Sequence, residues 1–355
     1  MMKPVYISSA CAITPQFSFN PAEFLQPLVS SSDGKLFAAE PDYRQYINPV
    51  AIRRMSRLMK MGISSGMRAL ELAGIKQPDA IITGTGLGSM TDMEHFLKDM
   101  IRLNEETLNP TYFIQSTYNS VNGWLAMQTK CTGYNQTFVN RGLSLELSLL
   151  DAQLLLQEDE DVHNVLVGAF DEMTPDYFIV KGKVDYWKKS IPASKDVLKY
   201  SDTPGTIGGE GTAFFVVSDK PENFVCTIAE VQVDLQPDKE LIKTMIRELL
   251  QRHSMEPTDI DVLVTGMNGD SQWQPFYDEA VSDFPDSTAV AGFKHLTGEY
   301  PTAAGFAFWL ATQLFSHQEI PQDVLIKGTS TKSIRNILII NHYILNTVSL
   351  SLLRK

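Results

Sequence analysis

The stretch NSVNGWLAMQTKCTGYNQTFVNRGLSLELSLLDA, from Asn119 to Ala152, constrains the fold more than any other part of the chain. Val121, Leu125 and Met127 fall at helical spacing, and Gly133 has the backbone freedom to end that segment. Gln136 to Val139 alternates polar with apolar and carries Thr137, Phe138 and Val139, which predicts a short strand. The strand breaks at Asn140-Arg141-Gly142. Beyond it Leu143, Leu145, Leu147, Leu149, Leu150, Leu154, Leu155 and Leu156 predict a helix apolar over most of its circumference, which belongs inside a large protein. A strand that turns sharply into a buried helix aims free N–H groups into the bend, where a nucleophile or an anionic intermediate is stabilised.

A helix of that kind needs a large core around it. The 355 residues, 43% of them hydrophobic, suffice for two domains or one large duplicated one. A formal net charge of -12 argues against nucleic acid or an anionic membrane as the main partner. An acidic carrier protein would need a local basic patch. Arg53, Arg54, Arg57 and Lys60 form one, which reads more readily as a solvated helix face. Cys11, Cys131 and Cys226 are odd in number and lack metal-ligand spacing, as expected of reduced core thiols in a cytoplasmic protein. The six histidines form no HxxxH cluster, so no metal site is expected. MMKPVYISSACAIT lacks the apolar run of a signal peptide, and no apolar segment is long enough to span a membrane.

In chain order, Val5 to Ile13 predicts a strand, Asn20 to Lys35 a loop-rich excursion, and Arg53 to Gly74 an amphipathic helix closed by glycine. Ala80 to Thr85 predicts a buried strand followed by Gly84, Gly86 and Gly88. This loop lacks a phosphate-loop lysine and the GxGxxG spacing, so close backbone packing explains it better than nucleotide binding. An acidic loop, Glu158 to Asp161, precedes a strand, Val165 to Gly168, and a turn, Ala169 to Glu172. Asp171 to Gly205 shows no clear periodicity. Thr212 to Ser218 predicts a strand. Strand, helix and strand then recur at Thr227 to Val233, Asp238 to His253 and Asp261 to Thr265, which sets a boundary near Lys220 between halves 1–219 and 220–355.

The Asn119–Ala152 stretch resembles the nucleophile region of the β-ketoacyl-acyl carrier protein synthases, whose pattern runs N-x-x-x-G, a glycine, then a short strand ending in a cysteine that opens a buried helix. With Asn119, Gly123 and Gly133 set on that pattern, the cysteine's place falls on Gly142, and Ala152 keeps the register. Cys131 lies before the strand and cannot substitute. Gly208-Gly209-Glu210-Gly211 resembles the family's GEG turn. Met267-Asn268-Gly269-Asp270-Ser271 stands where the family has a histidine-glycine-threonine turn, with Asn268 in the histidine's place. Lys294-His295-Leu296-Thr297-Gly298-Glu299 with Ala303-Ala304-Gly305 matches the K-x-x-T-G-H…A-A-G motif, with Glu299 for the histidine and Lys294 retained. The family's glycine-rich N-x-F-G-F-G-G gate is replaced by Asn341-His342-Tyr343-Ile344-Leu345-Asn346.

The resemblance implies an α/β, thiolase-like fold of five layers, αβαβα, built from two duplicated halves. It also implies a chain close to the ketosynthase-like chain length factors, without the Cys-His-His triad. Condensation needs a thiolate at a helix N-terminus and two neutral imidazoles beside the enolate. Gly142 supplies no thiolate, Asn268 one hydrogen bond, and an ionised Glu299 the wrong charge, unless Lys294 neutralises it. The expected role is a non-catalytic subunit of an active β-ketoacyl synthase; a divergent acyltransferase or thioester hydrolase, or a homodimeric acyl-binding protein, is the alternative. Ser144, Tyr343 and Glu210 are the candidate substrate contacts, although Ser144 in a first helical turn reads more readily as a cap. No cofactor is expected beyond a phosphopantetheine thioester on acyl carrier protein as candidate ligand. The expected partners are an active ketosynthase or a second copy, with acyl carrier protein as a further candidate.

Overall fold

The computed structural model describes residues 4–20, 22, 24–190, 193–235, 239–329, 333–344 and 347–355. The first half runs β1 (Val5–Ile13), β2 (Lys35–Leu36), α1 (Pro49–Ile52), α2 (Arg57–Ala73), β3 (Ala80–Gly84), α3 (Met90–Arg102), α4 (Pro110–Gln115), α5 (Ser120–Thr129), β4 (Asn135–Phe138), α6 (Ser144–Glu158), β5 (Asn164–Asp171), α7 (Pro175–Gly182), β6 (Gly208–Gly209) and β7 (Gly211–Ser218). It continues through β8 (Cys226–Asp234), α8 (Lys239–Arg252), β9 (Val262–Thr265), α9 (Gln274–Val281), β10 (Ala289–Gly292), α10 (Lys294–Thr297), α11 (Ala304–His317), β11 (Leu325–Lys327), β12 (Asn336–Tyr343) and β13 (Thr347–Arg354).

The strand order β11-β10-β9-β12-β13-β8-β1-β7-β5-β3-β4 contains a repeat. Counted outward from the β1–β8 junction, one side reads β1, β7, β5, β3, β4 and the other β8, β13, β12, β9, β10. The pairing senses match too. β1–β7 and β7–β5 are antiparallel and β5–β3–β4 parallel, as β8–β13, β13–β12 and β12–β9–β10 are in turn. The two passes meet between Ser218 and Cys226, where Val5 to Ile7 pairs antiparallel with Ile228 to Cys226.

Three apolar cores separate the layers. α2 and α5 bury Leu58, Met59, Met61, Ile63, Val121 and Leu125 on one outer face, against Ile81, Leu166 and Phe214. α8 and α9 do the same on the opposite face with Ile242, Ile246, Leu249, Phe276 and Tyr277. Between them lie α6, packed on β3, β5 and β8, and α11, packed on β1, β7 and β12. Every residue of α11 from Ala304 to Phe315 is buried. Helix, sheet, helices, sheet, helix are the five expected layers.

Local departures from the sequence expectations have identifiable causes. The helix expected from Arg53 to Gly74 breaks before Arg57, because Gln115 accepts from the Ser56 N–H (2.8 Å) and donates to the Arg54 carbonyl (2.5 Å). Its expected end holds: Gly74, at φ 71°, closes α2. The expected turn at Ala169 to Glu172 is strand as far as Asp171, because β7 pairs with β5 down to Asp171 opposite Gly211. β4 begins one residue early, with Asn135 opposite Ile81. Met127 is 72% exposed, unlike Val121 and Leu125, and Leu154 on α6 is exposed rather than buried. The aperiodic excursion contains α7, capped by Thr174, and a 3-10 segment, Ser194–Tyr200. Asp238, Leu345 and Asn346 lie outside the described residues. No helix among the described residues is long and apolar enough to cross a membrane.

Candidate functional site

The site forms where β4 turns into α6. Asn140, Arg141 and Gly142 make the bend, with Arg141 held at φ 46°. β3 runs beneath it so closely that Gly84 has no room for a side chain against the Ser144 carbonyl. The glycine loop after β3 is also explained. Asp171 is buried and accepts from the N–H of Gly86 (3.0 Å) and Leu87 (2.8 Å), the hydroxyls of Thr85 and Thr302, and the Thr302 N–H. The anion in this nest is the protein's own carboxylate, pushed up to about 6 by burial while those donors oppose the shift. Asp171→Ala should cost about 3 kcal/mol by leaving these donors unpaired, measurable by urea denaturation.

Gly142 is buried, and the place its side chain would take is full. A Cβ there would lie 2.5 Å from Cγ and 2.8 Å from Cδ1 of Tyr343, and closer still to its Cβ. Tyr343 comes from the end of β12 and is 3% exposed. The bulky Tyr343 and the small Gly142 are therefore complementary across the bend, the ring filling the space that the glycine leaves.

Ser144 does not face that space as a free hydroxyl. Its Oγ donates toward the carbonyls of Thr85 and Arg141, both at 2.9 Å, and accepts the Asn140 N–H at 2.8 Å. These bonds tie the hydroxyl to the bend and to the end of β3; it does not cap α6, whose N-cap is Leu143. Glu210 is likewise structural: it is fully buried, pairs with Arg57 at 2.6 Å, and accepts the N–H groups of Ala38 (2.8 Å) and Met173 (3.1 Å). The same pair removes Arg57, also bound to Glu40, from the basic cluster and leaves Arg53 and Arg54 as its exposed members.

Asn268, Lys294 and Glu299 do come together. Lys294 Nζ lies 2.9 Å from Glu299 Oε1 and donates to Oε2 at 3.0 Å and to the His342 carbonyl at 2.6 Å. Asn268 Nδ2 donates to Glu299 Oε2 at 2.8 Å, and its Oδ1 accepts the Asp270 N–H at 3.0 Å. Burial pushes the Glu299 carboxyl up, opposed by Lys294, and pulls the Lys294 ammonium down, opposed by Glu299. His295 points elsewhere, to the Asp323 carbonyl at 2.7 Å.

Two members of this cluster were not singled out by sequence reasoning. His342 stacks on Trp273 with centroids 3.9 Å apart; its Nδ1 is 2.6 Å from the Tyr277 hydroxyl and its Nε2 3.3 Å from Asn268 Nδ2. Burial, then Lys294, holds it well below the usual imidazole range, so it is neutral with both nitrogens engaged. Glu146 lies on the first turn of α6, fully buried, and accepts from the Ser349 hydroxyl at 2.7 Å. Its only sequence signal was a carboxylate within an otherwise leucine-rich helix.

A duplicated five-layer α/β scaffold whose strand-to-helix bend lies over a buried polar cluster defines the class by its fold, which is thiolase-like. Residues 32–189 match the family described as beta-ketoacyl synthase, N-terminal domain. The fold of the chain is similar to that of the ishigamide ketosynthase/chain length factor, at 14% identity and a TM-score of 0.78 over 99% of each chain. It is similar also to a type II PKS acyl-carrier protein in complex with its ketosynthase bound to the hexaketide, at 16% identity and 0.75 over 99% of each chain. A beta-ketoacyl synthase from Burkholderia phymatum STM815 matches at 12% identity and 0.78 over 100% of both chains. No curated protein matches the chain.

Proposed function

We propose that this chain is a ketosynthase-like subunit of the chain-length-factor type, silent in condensation and paired with an active β-ketoacyl synthase. The observation that carries this reading is the Tyr343 ring packed on Gly142. No thiol is present at the bend, and the ring fills the place of one. The ion-paired Glu299 and the amide of Asn268 stand where two imidazoles would polarise a malonyl thioester, and His342 has both nitrogens engaged. Halves 1–219 and 220–355 form the two units of the proposed subunit, acting in the cytoplasm.

The outer edge of β4 supports the pairing. This strand ends the sheet order, and around it Trp124, Met127, Tyr134, Val139 and Leu154 are exposed. An uncovered edge with apolar neighbours is an assembly surface. A ketosynthase pairing edge to edge would cover it, with a second copy as substitute when the partner is absent. Acyl carrier protein bearing a phosphopantetheine thioester would then be served at the active partner's site. The double variant Met127→Glu/Val139→Asp should keep the fold and shift the assembly to monomer by size-exclusion chromatography. Co-expression with a Cys-His-His ketosynthase tests the role: a stable heterodimer whose products change when this chain is omitted is expected. Separate homodimers with unchanged condensation would reject it.

A further inference from the structure

Glu146 is a buried carboxylate for which the proposed function has no use, and it lies within the field of an ammonium that is already engaged. Lys294 Nζ is shared between the Glu299 carboxylate and the His342 carbonyl. Glu146 Oε1 accepts from Ser349, while Oε2 has no hydrogen-bond partner. Ser349 on β13 pairs across with Asn341 on β12, so Glu146 tethers α6 to the hairpin that carries Tyr343. A charge on Oε2 would have neither water nor an uncommitted cation to stabilise it.

We propose that Glu146 keeps its proton in the folded protein, and that release of this proton makes it compete with Glu299 for Lys294, a pH-sensitive switch at the α6–β12–β13 junction. The surroundings favour this. β3 and β5 contribute Ile82, Val165 and Val167 to the core beneath α6. Asp171, at the end of β5, is held by its own donors. On β8, Glu230 is tied to Arg252 and His253, and the Cys226 thiol is buried and pushed up. Burial pushes the Glu146 carboxyl up to about 7, with Ser349 and Lys294 opposing the shift. A carboxyl raised above its ordinary value favours folding while protonated and costs stability as pH rises through the ordinary value toward the raised one. The switch should therefore act between mildly acidic and neutral pH.

The direct test is infrared spectroscopy of the intact protein at mildly acidic pH, where Glu146→Gln should lose one protonated-carboxyl band present in the wild type. Stability against pH is the second readout. Asp171 and Glu172 are also raised by burial, so the wild type loses stability on alkalinisation for more than one reason. Glu146→Gln should remove one proton's share of that slope, and Glu299→Gln should remove two, its own because burial raises Glu299 as well and that of Glu146 because Lys294 is freed for the ionised form. Loss of no infrared band or an unchanged slope in Glu146→Gln, or loss of only one share in Glu299→Gln, would overturn the proposal. If Glu146→Gln does not fold, the Glu299→Gln slope and infrared band still decide it.

Discussion

Gly142→Cys is expected to fold less stably and still to take no acyl group. The new Cβ would fall inside the Tyr343 side chain, which is 3% exposed, so the ring must be displaced from a packed site. Overpacking of this kind costs about 1–3 kcal/mol, to be read as a lower urea midpoint at unchanged slope. The thiol would lie against the ring, out of reach of a thioester. Intact-mass spectrometry after incubation with acyl-CoA should show no added acyl mass. Combining Gly142→Cys with Tyr343→Gly should relieve the overlap and expose the thiol. Even then, malonyl decarboxylation should stay absent, because Asn268 and Glu299 supply no second or third catalytic group. Stoichiometric acylation of the single variant would show that Tyr343 leaves the bend readily, and the silent-subunit reading would lose its main support.

Lys294→Met should be the more damaging change, although it touches no proposed reaction. Lys294 and Glu299 are both buried to within 2% of full exclusion from solvent. Removing the ammonium strands a carboxylate in the core and deprives the His342 carbonyl of its donor; breaking such a pair costs about 3–5 kcal/mol. The double variant Lys294→Met/Glu299→Leu removes both charges and should recover most of the loss, because the desolvation cost of the pair disappears with it. Thermal denaturation of the two variants separates the cases. Equal destabilisation of single and double variants would mean that hydrogen bonds to His342 and Asn268, rather than the ion pair, hold the site together.

These results turn on contacts that a sequence encodes unevenly. The strand at Val5–Ile13, the buried strand ending at Gly84 and the helix closed by Gly74 were legible because their signals are local: an apolar run, a period, a capping glycine. The bend at Gly142 was legible for the same reason, since the strand before it and the leucine-rich helix after it lie in one continuous stretch. The Lys294–Glu299 pair was foreseeable because the residues are five apart on a short helix and the turn after it. Gln115 breaking a helix at Ser56, by contrast, is a contact 59 residues away, and no period announces it.

The same distinction governs the site. By itself the sequence determined that the bend carries no thiol and that Asn268, Glu299 and the bulky stretch from Asn341 to Tyr343 lie downstream of it. Tertiary structure decided that these features fit one another. Tyr343 reaches Gly142 across some 200 positions, His342 joins Asn268 across 74, and Glu146 meets Ser349 across 203, through strand order and the packing of α6 against the β12–β13 hairpin. Side-chain volume and hydrogen-bonding capacity are written at each position, but which vacancy a ring fills, and which carboxylate is left without a cation, depends on neighbours that only the folded chain brings together.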